Sequence, residues 1–162
     1  MEPNGYSLRQ IALHWLVALL VVYQWFTGNF MTDLFRSAHG GPPAAVNPGW
    51  ATVHAVVGVT VLVSMLWRLA LRRADGAPPP AKQHPALQWL AGAVHVGLYL
   101  DLILGALAGL IANLWLPSFA GLHHLLMRPV LLALIALHVA GALWHRFVVK
   151  DDVMTRMVRP AR

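Results

Sequence analysis

Histidine is the residue of this chain with the most chemistry to offer. Nine are present, and His14, His54, His95, His124, His138 and His145 fall inside long apolar stretches. His39 and His84 lie in polar connectors, and His123 directly precedes His124. An imidazole placed in hydrocarbon is expensive and ordinarily faces a partner inside a bundle. Any one of them is simply explained as a hydrogen bond between helices. Six in four segments call for a joint explanation.

Depth pairs them. At a rise of 1.5 Å per residue, His14 lies roughly 9 Å to one side of the middle of its segment and His138 roughly 6 Å to the same side. His54 and His124 both sit near the opposite ends of theirs. His14 can therefore face His138 at one level, and His54 can face His124 at another. His124 and His138 are fourteen residues apart, close to four turns, which puts them on one face about 21 Å apart along the axis. His54 and Arg68 repeat that spacing, setting a guanidinium at the level of the His14 pair, where it suits a carboxylate such as a propionate. Gly58, one turn from His54, leaves room for a flat ligand near the backbone or for close helix packing.

Opposed neutral imidazoles with no thiolate or carboxylate beside them suit the axial positions of haem iron. Zinc would want further ligands at the same level. The chain contains no cysteine, which excludes disulfides, thiolate-bound zinc, iron–sulfur clusters and covalently attached haem. An iron held by two histidines has no open position and carries electrons. The expectation is two non-covalent haem b groups, an inner one on His14 and His138 and an outer one on His54 and His124. His123 leaves a ligand shifted by one residue as the alternative, and the fourteen-residue spacing favours His124.

The elements that position these residues are membrane spans. Of 162 residues, 58% are hydrophobic and 11% charged, with a mean hydropathy of +0.60; soluble proteins carry about 25% charged residues. Such a chain cannot clothe a water-facing surface, which excludes a disordered protein and an ordinary soluble domain. Four runs, about 8–31, 50–71, 86–111 and 121–149, each reach the roughly 20 apolar residues that cross a bilayer. Gly40-Gly41-Pro42-Pro43, Asn47-Pro48-Gly49, Ala77-Pro78-Pro79-Pro80 and Pro117-Ser118 separate them as breakers. The fold expected is all-α, a four-helix transmembrane bundle forming a single domain over 1–162. The first run is full length and contains His14 and Gln24, so it reads as a retained span and not a cleaved signal.

The net charge of +6 reads as topology and not as nucleic-acid binding, because the basic residues flank the spans. Arg9, Arg68, Arg72, Arg73, Lys82, Arg146, Lys150, Arg156, Arg159 and Arg162 gather on one side, and only Arg36 and Arg128 on the other. By the positive-inside rule both termini are cytoplasmic. Trp50 and Trp115 then fall at the outer boundary, and Trp67, Trp89 and Trp144 at the inner one.

Several segments together resemble the bacterial cytochrome b561 family, the superoxide oxidase group. They are Tyr6-Ser7-Leu8-Arg9-Gln10-Ile11-Ala12-Leu13-His14-Trp15-Leu16, His54 with Gly58, Arg68 with Arg72, and His95 followed by Leu98-Tyr99. The ending His138, His145, Lys150-Asp151, Arg156-Met157 and Pro160 completes the resemblance, which covers nearly the whole chain. The resemblance implies the same haem pairing and a place in the bacterial inner membrane. It also implies a ubiquinone near the inner haem, with Arg9, Gln10, His95 and His145 as candidate lining. It further implies oxidation of periplasmic superoxide to oxygen, with Arg36 and Arg128 as candidates for steering the anion; Arg128 serves equally well as a propionate partner. The alternative is a cytochrome b subunit passing electrons between a dehydrogenase, or another redox protein, and quinone. Two departures stand out: Ala106 where the family often has proline, and Asp101 near mid-membrane.

Overall fold

The computed structural model describes residues 5–79, 81 and 83–161; the expectations placed on Pro80, Lys82 and Arg162 lie outside these. Among the described residues the chain is all-helical, with no strand. Four helices are long and apolar enough to cross a membrane: α1 (Leu8–Ala38), α2 (Gly49–Ala74), α3 (Pro85–Leu114) and a fourth span (Phe119–Val149). Most of their large apolar side chains are exposed, among them Leu19, Phe26, Val56, Trp89, Leu104 and Phe147. Such a surface is at home in lipid and not in water.

Local chemistry sets the helix ends. Ser7 caps α1 in a reciprocal capping box with Gln10: Gln10 N–H donates to Ser7 Oγ and Ser7 N–H to Gln10 Oε1. Helix α1 continues past its apolar run to Ala38, because Thr32, Asp33 and Arg36 are compatible with helix once outside hydrocarbon. Gly40 and Gly76, just beyond α1 and α2, take positive φ of 86° and 76° and turn the chain out of each helix. Pro85 starts α3 at a position where no backbone donor is lost.

The fourth span differs from the regular helix that its apolar run suggested. It is α-helical over Phe119–Leu125 and Leu131–Trp144, but π-helical over Leu126–Val130 and His145–Val149. Pro129 lies inside the first π segment. Lacking a backbone N–H, proline cannot continue the α pattern there, and the chain accommodates it with a wider turn.

Helix α1 packs on α2, α2 on α3, and α3 on the fourth span. The fourth span is not closely packed on α1 or α2, so a slot runs between them, and the histidines reach across it. A buried apolar layer of Val17, Val61, Met65, Leu102 and Leu131 fills the middle of the bundle and separates two histidine levels.

At one end the terminal segments are tied together. Trp15 Nε1 donates to Met157 O at 2.9 Å, Ala161 N to Tyr6 O at 3.0 Å, and Arg156 Nη1 to Pro79 O at 3.1 Å. Both terminal segments and the α2–α3 connector therefore share one end of the bundle.

Candidate haem sites

At the level nearer the tied end, α1 carries His14, α3 His95 and the fourth span His138. The rings of His14 and His138 have centroids 6.1 Å apart, and His95 stands edge-on to His138 at 5.2 Å. An imidazole nitrogen bonds a metal at about 2.0–2.1 Å, with the ring centroid about 1.1 Å behind it, so rings on opposite sides of one metal lie about 6.3 Å apart. The His14–His138 separation fits that span. Arg68 is at this level too, donating to Gln10 O at 3.3 Å with its guanidinium 6.0 Å from the Tyr99 ring centroid.

At the other level His54 of α2 faces the fourth span. Its ring centroid is 6.1 Å from that of His123, the same separation as in the first pair. His124 stands beside His123 at 5.7 Å. All three line a cavity of about 260 Å³ with Gly28, Gly58 and Arg128. A Cβ on Gly28 would meet nothing within 4 Å, and one on Gly58 only Gln24 Nε2 at 3.5 Å. The two glycines thus leave open wall for a flat macrocycle. His54 Nδ1 and Gln24 Oε1 are buried without a protein hydrogen-bond partner, while Gln24 Nε2 anchors the His54 carbonyl at 2.9 Å. Donor set and ring separation fit haem at both levels, and the open wall fits it at the outer one.

The remaining candidates fall in separate places. Gln10 is buried, and its amide is engaged on both sides, accepting from Ser7 N–H and donating to Gly76 O at 3.0 Å. Arg9 is exposed and 3.8 Å from Asp75. His95 is exposed beside the inner pair, its Nδ1 at 2.6 Å from Ala91 O. His145 is buried against Asp151, Nδ1 to Oδ2 2.7 Å. Arg128 donates to Asn29 Oδ1 at 2.7 Å at the rim of the outer cavity, and Arg36 lies in the last turn of α1. Asp101 is buried at 4% exposure with neither oxygen paired.

Asp151, Asn29 and Gly109 were not anticipated. Gly109 did have a signal, since Gly105-Ala106-Leu107-Ala108-Gly109 is a small-residue repeat of the kind that seats a neighbouring helix. Asn29 had none, because its Arg128 partner is fixed only by tertiary contact, and the contact of Asp151 with His145 needs the left-handed turn at Lys150 that closes the fourth span.

The family model for prokaryotic cytochrome b561 matches residues 5–160. The chain belongs to that family. It is 33% identical to cytochrome b562 of Cereibacter sphaeroides, over 98% of both chains. It is 28% identical to a Yersinia pestis protein named "Probable superoxide oxidase CybB", over 97% of both chains. It is 24% identical to cytochrome b561 homolog 2 of Escherichia coli, over 96% of this chain and 92% of that one. No solved structure matches it. As a cytochrome b561, the protein is a multi-pass haem protein of the bacterial inner membrane and works in electron transfer.

Proposed function

We propose that this cytochrome is a single di-haem domain over residues 1–162, carrying electrons across the membrane to ubiquinone and taking them from periplasmic superoxide. The observation that carries the reading is the pair of equal 6.1 Å ring separations, His14 to His138 and His54 to His123, at two levels of one bundle. His14 and His138 would hold the inner haem b, and His54 with the fourth span's histidine pair the outer. Bound haem supplies reversible one-electron chemistry at each level. Balance requires two superoxide anions and two protons for each quinone, giving two molecules of oxygen and one quinol.

The chain's own residues orient, shield and supply charge. Arg68, level with the inner pair, is the candidate partner for an inner propionate. The mid-bundle apolar layer keeps water and protons from crossing between levels. Arg9, Arg68, Arg72, Arg73, Arg146, Lys150, Arg156 and Arg159 lie towards the end holding both termini, while Arg36 and Arg128 lie towards the other. Under the positive-inside rule the tied end is cytoplasmic. The two outer arginines then supply what local positive field the periplasmic face offers an anion. On the cytoplasmic side His95, exposed beside His138, is the candidate contact for a quinone arriving from lipid. His145 with Asp151 is a donor set for the protons a reduced quinone takes up. Arg9 and Gln10 frame this end through Asp75 and the capping box.

The name of the Yersinia pestis relative supports superoxide as donor. The second reading is that electrons are delivered by a redox protein. The test is anaerobic: the purified protein receives a superoxide source while its haem absorption is followed, with and without ubiquinone. Rapid reduction, then reoxidation dependent on quinone, is expected. Two reducible haems indifferent to superoxide would favour the protein-fed cytochrome, and a preparation without haem would overturn both.

A further inference from the structure

On an unbroken α-helix, at about 100° per residue, fourteen residues bring His124 to within about 40° of His138 around the axis, while His123 points about 60° to the other side. The fourth span is broken between them. Leu131 N–H donates to Leu126 O, an i to i+5 bond closing the π turn over Leu126–Val130. Such a turn holds one extra residue, so the helix before it is rotated by about one residue relative to the helix after it. His123 then takes the direction that the spacing assigned to His124, about 40° from His138, and His124 is turned about 140° away.

Three contacts agree with that shift. The ring paired with His54 is that of His123, at 6.1 Å. His123 Nδ1 lies 2.8 Å from Gly105 O, and an Nδ1–H donated to a backbone carbonyl leaves Nε2 as the lone-pair nitrogen, the state in which histidines ligate metals. The ring is also seated on α3 by Gly109, where a Cβ would stand 2.7 Å from His123 Nδ1. His124 has neither the carbonyl contact nor the glycine seat.

We propose that His123, and not His124, is the fourth-span ligand of the outer iron, brought into line by the π turn at Leu126–Val130. The inference rests on the di-haem reading above. It makes the π turn a register device: the chain carries one residue more between its two ligands than a regular helix would hold, and the wide turn absorbs it.

The test reads haem content, low-temperature paramagnetic resonance and midpoint potentials, none of which depends on turnover. Wild-type protein should hold two haem b groups with two low-spin signals. His123→Ala and His54→Ala should each lose the same outer signal and keep the inner one, which certifies the fold; His124→Ala should keep both. His123→Met should retain two haems and raise one midpoint potential, as thioether ligation does, and His124→Met should leave both potentials in place. Gly109→Ala should lower outer occupancy alone. Loss of the outer signal in His124→Ala with retention in His123→Ala overturns the inference and leaves the di-haem reading standing. So does an equal response of the two methionine variants. Fewer than two haems in the wild type overturns the di-haem reading itself.

Discussion

The His145 imidazole and the Asp151 carboxylate meet at 2.7 Å across the end of the fourth span. The bridge between them is Lys150, which adopts the left-handed conformation at φ 57° and closes the helix with its N–H on His145 O. Asp151 is itself held, its Oδ1 accepting Val153 N–H at 3.1 Å. A carboxylate so placed fixes the orientation of the imidazole. If His145 supplies protons to reduced quinone, Asp151→Asn should lower the quinone-reduction rate by about tenfold or more. Both haem spectra should be unaltered, and Asp151→Glu should recover part of the rate. An unchanged rate would make the pair purely structural.

His95 should matter to quinone and not to haem. Its ring is exposed and 5.2 Å from that of His138. His95→Leu should therefore slow quinone-dependent reoxidation while haem content and spectra remain those of the wild type. Loss of the inner haem instead would reassign His95 to the ligand sphere.

Arg128 is exposed at the outer rim and hydrogen-bonded to Asn29. As a steering charge it should act mainly at low ionic strength, because exposed charges are screened beyond about 10 Å at 0.1 M salt. Arg128→Gln should reduce the rate of reduction by superoxide several-fold at low salt, with the deficit shrinking as salt is added. A deficit independent of salt, with altered outer-haem spectra, would point to propionate binding.

Asp101 is buried in the bundle with both carboxyl oxygens unpaired. An unsatisfied buried polar group costs about 1–3 kcal/mol. Asp101→Leu should consequently raise the melting temperature in detergent without changing haem content. A loss of quinone reduction in that variant would instead show that the carboxyl serves proton movement.

At the tied end, the hydrogen bond from Arg156 holds the exposed Asp152 carboxyl below its ordinary value. Because the folded value lies below the unfolded one of about 3.9, the contact contributes fully above that pH. It is lost as pH falls through the lowered folded value. Arg156→Gln should move the Asp152 titration, followed by nuclear magnetic resonance, back up towards the unfolded value. The same variant should loosen the C-terminal segment from Pro79.

The four spans were legible in the sequence because hydrocarbon imposes a length and an apolar composition that no soluble helix needs. So were the histidine levels: rise along a helix is fixed, and His14, His54 and His138 could be assigned depths without knowing which helices touch. Rotation about the axis was another matter. Phase depends on every turn between two residues, and the π turn at Pro129 changed it, setting His123 and not His124 against His54. Partners brought together by packing were equally hidden. The Gly76 contact of Gln10 and the Asn29 contact of Arg128 depend on how helices and connectors meet. Depth is set by chain length alone, whereas direction and neighbours exist only once the bundle has closed.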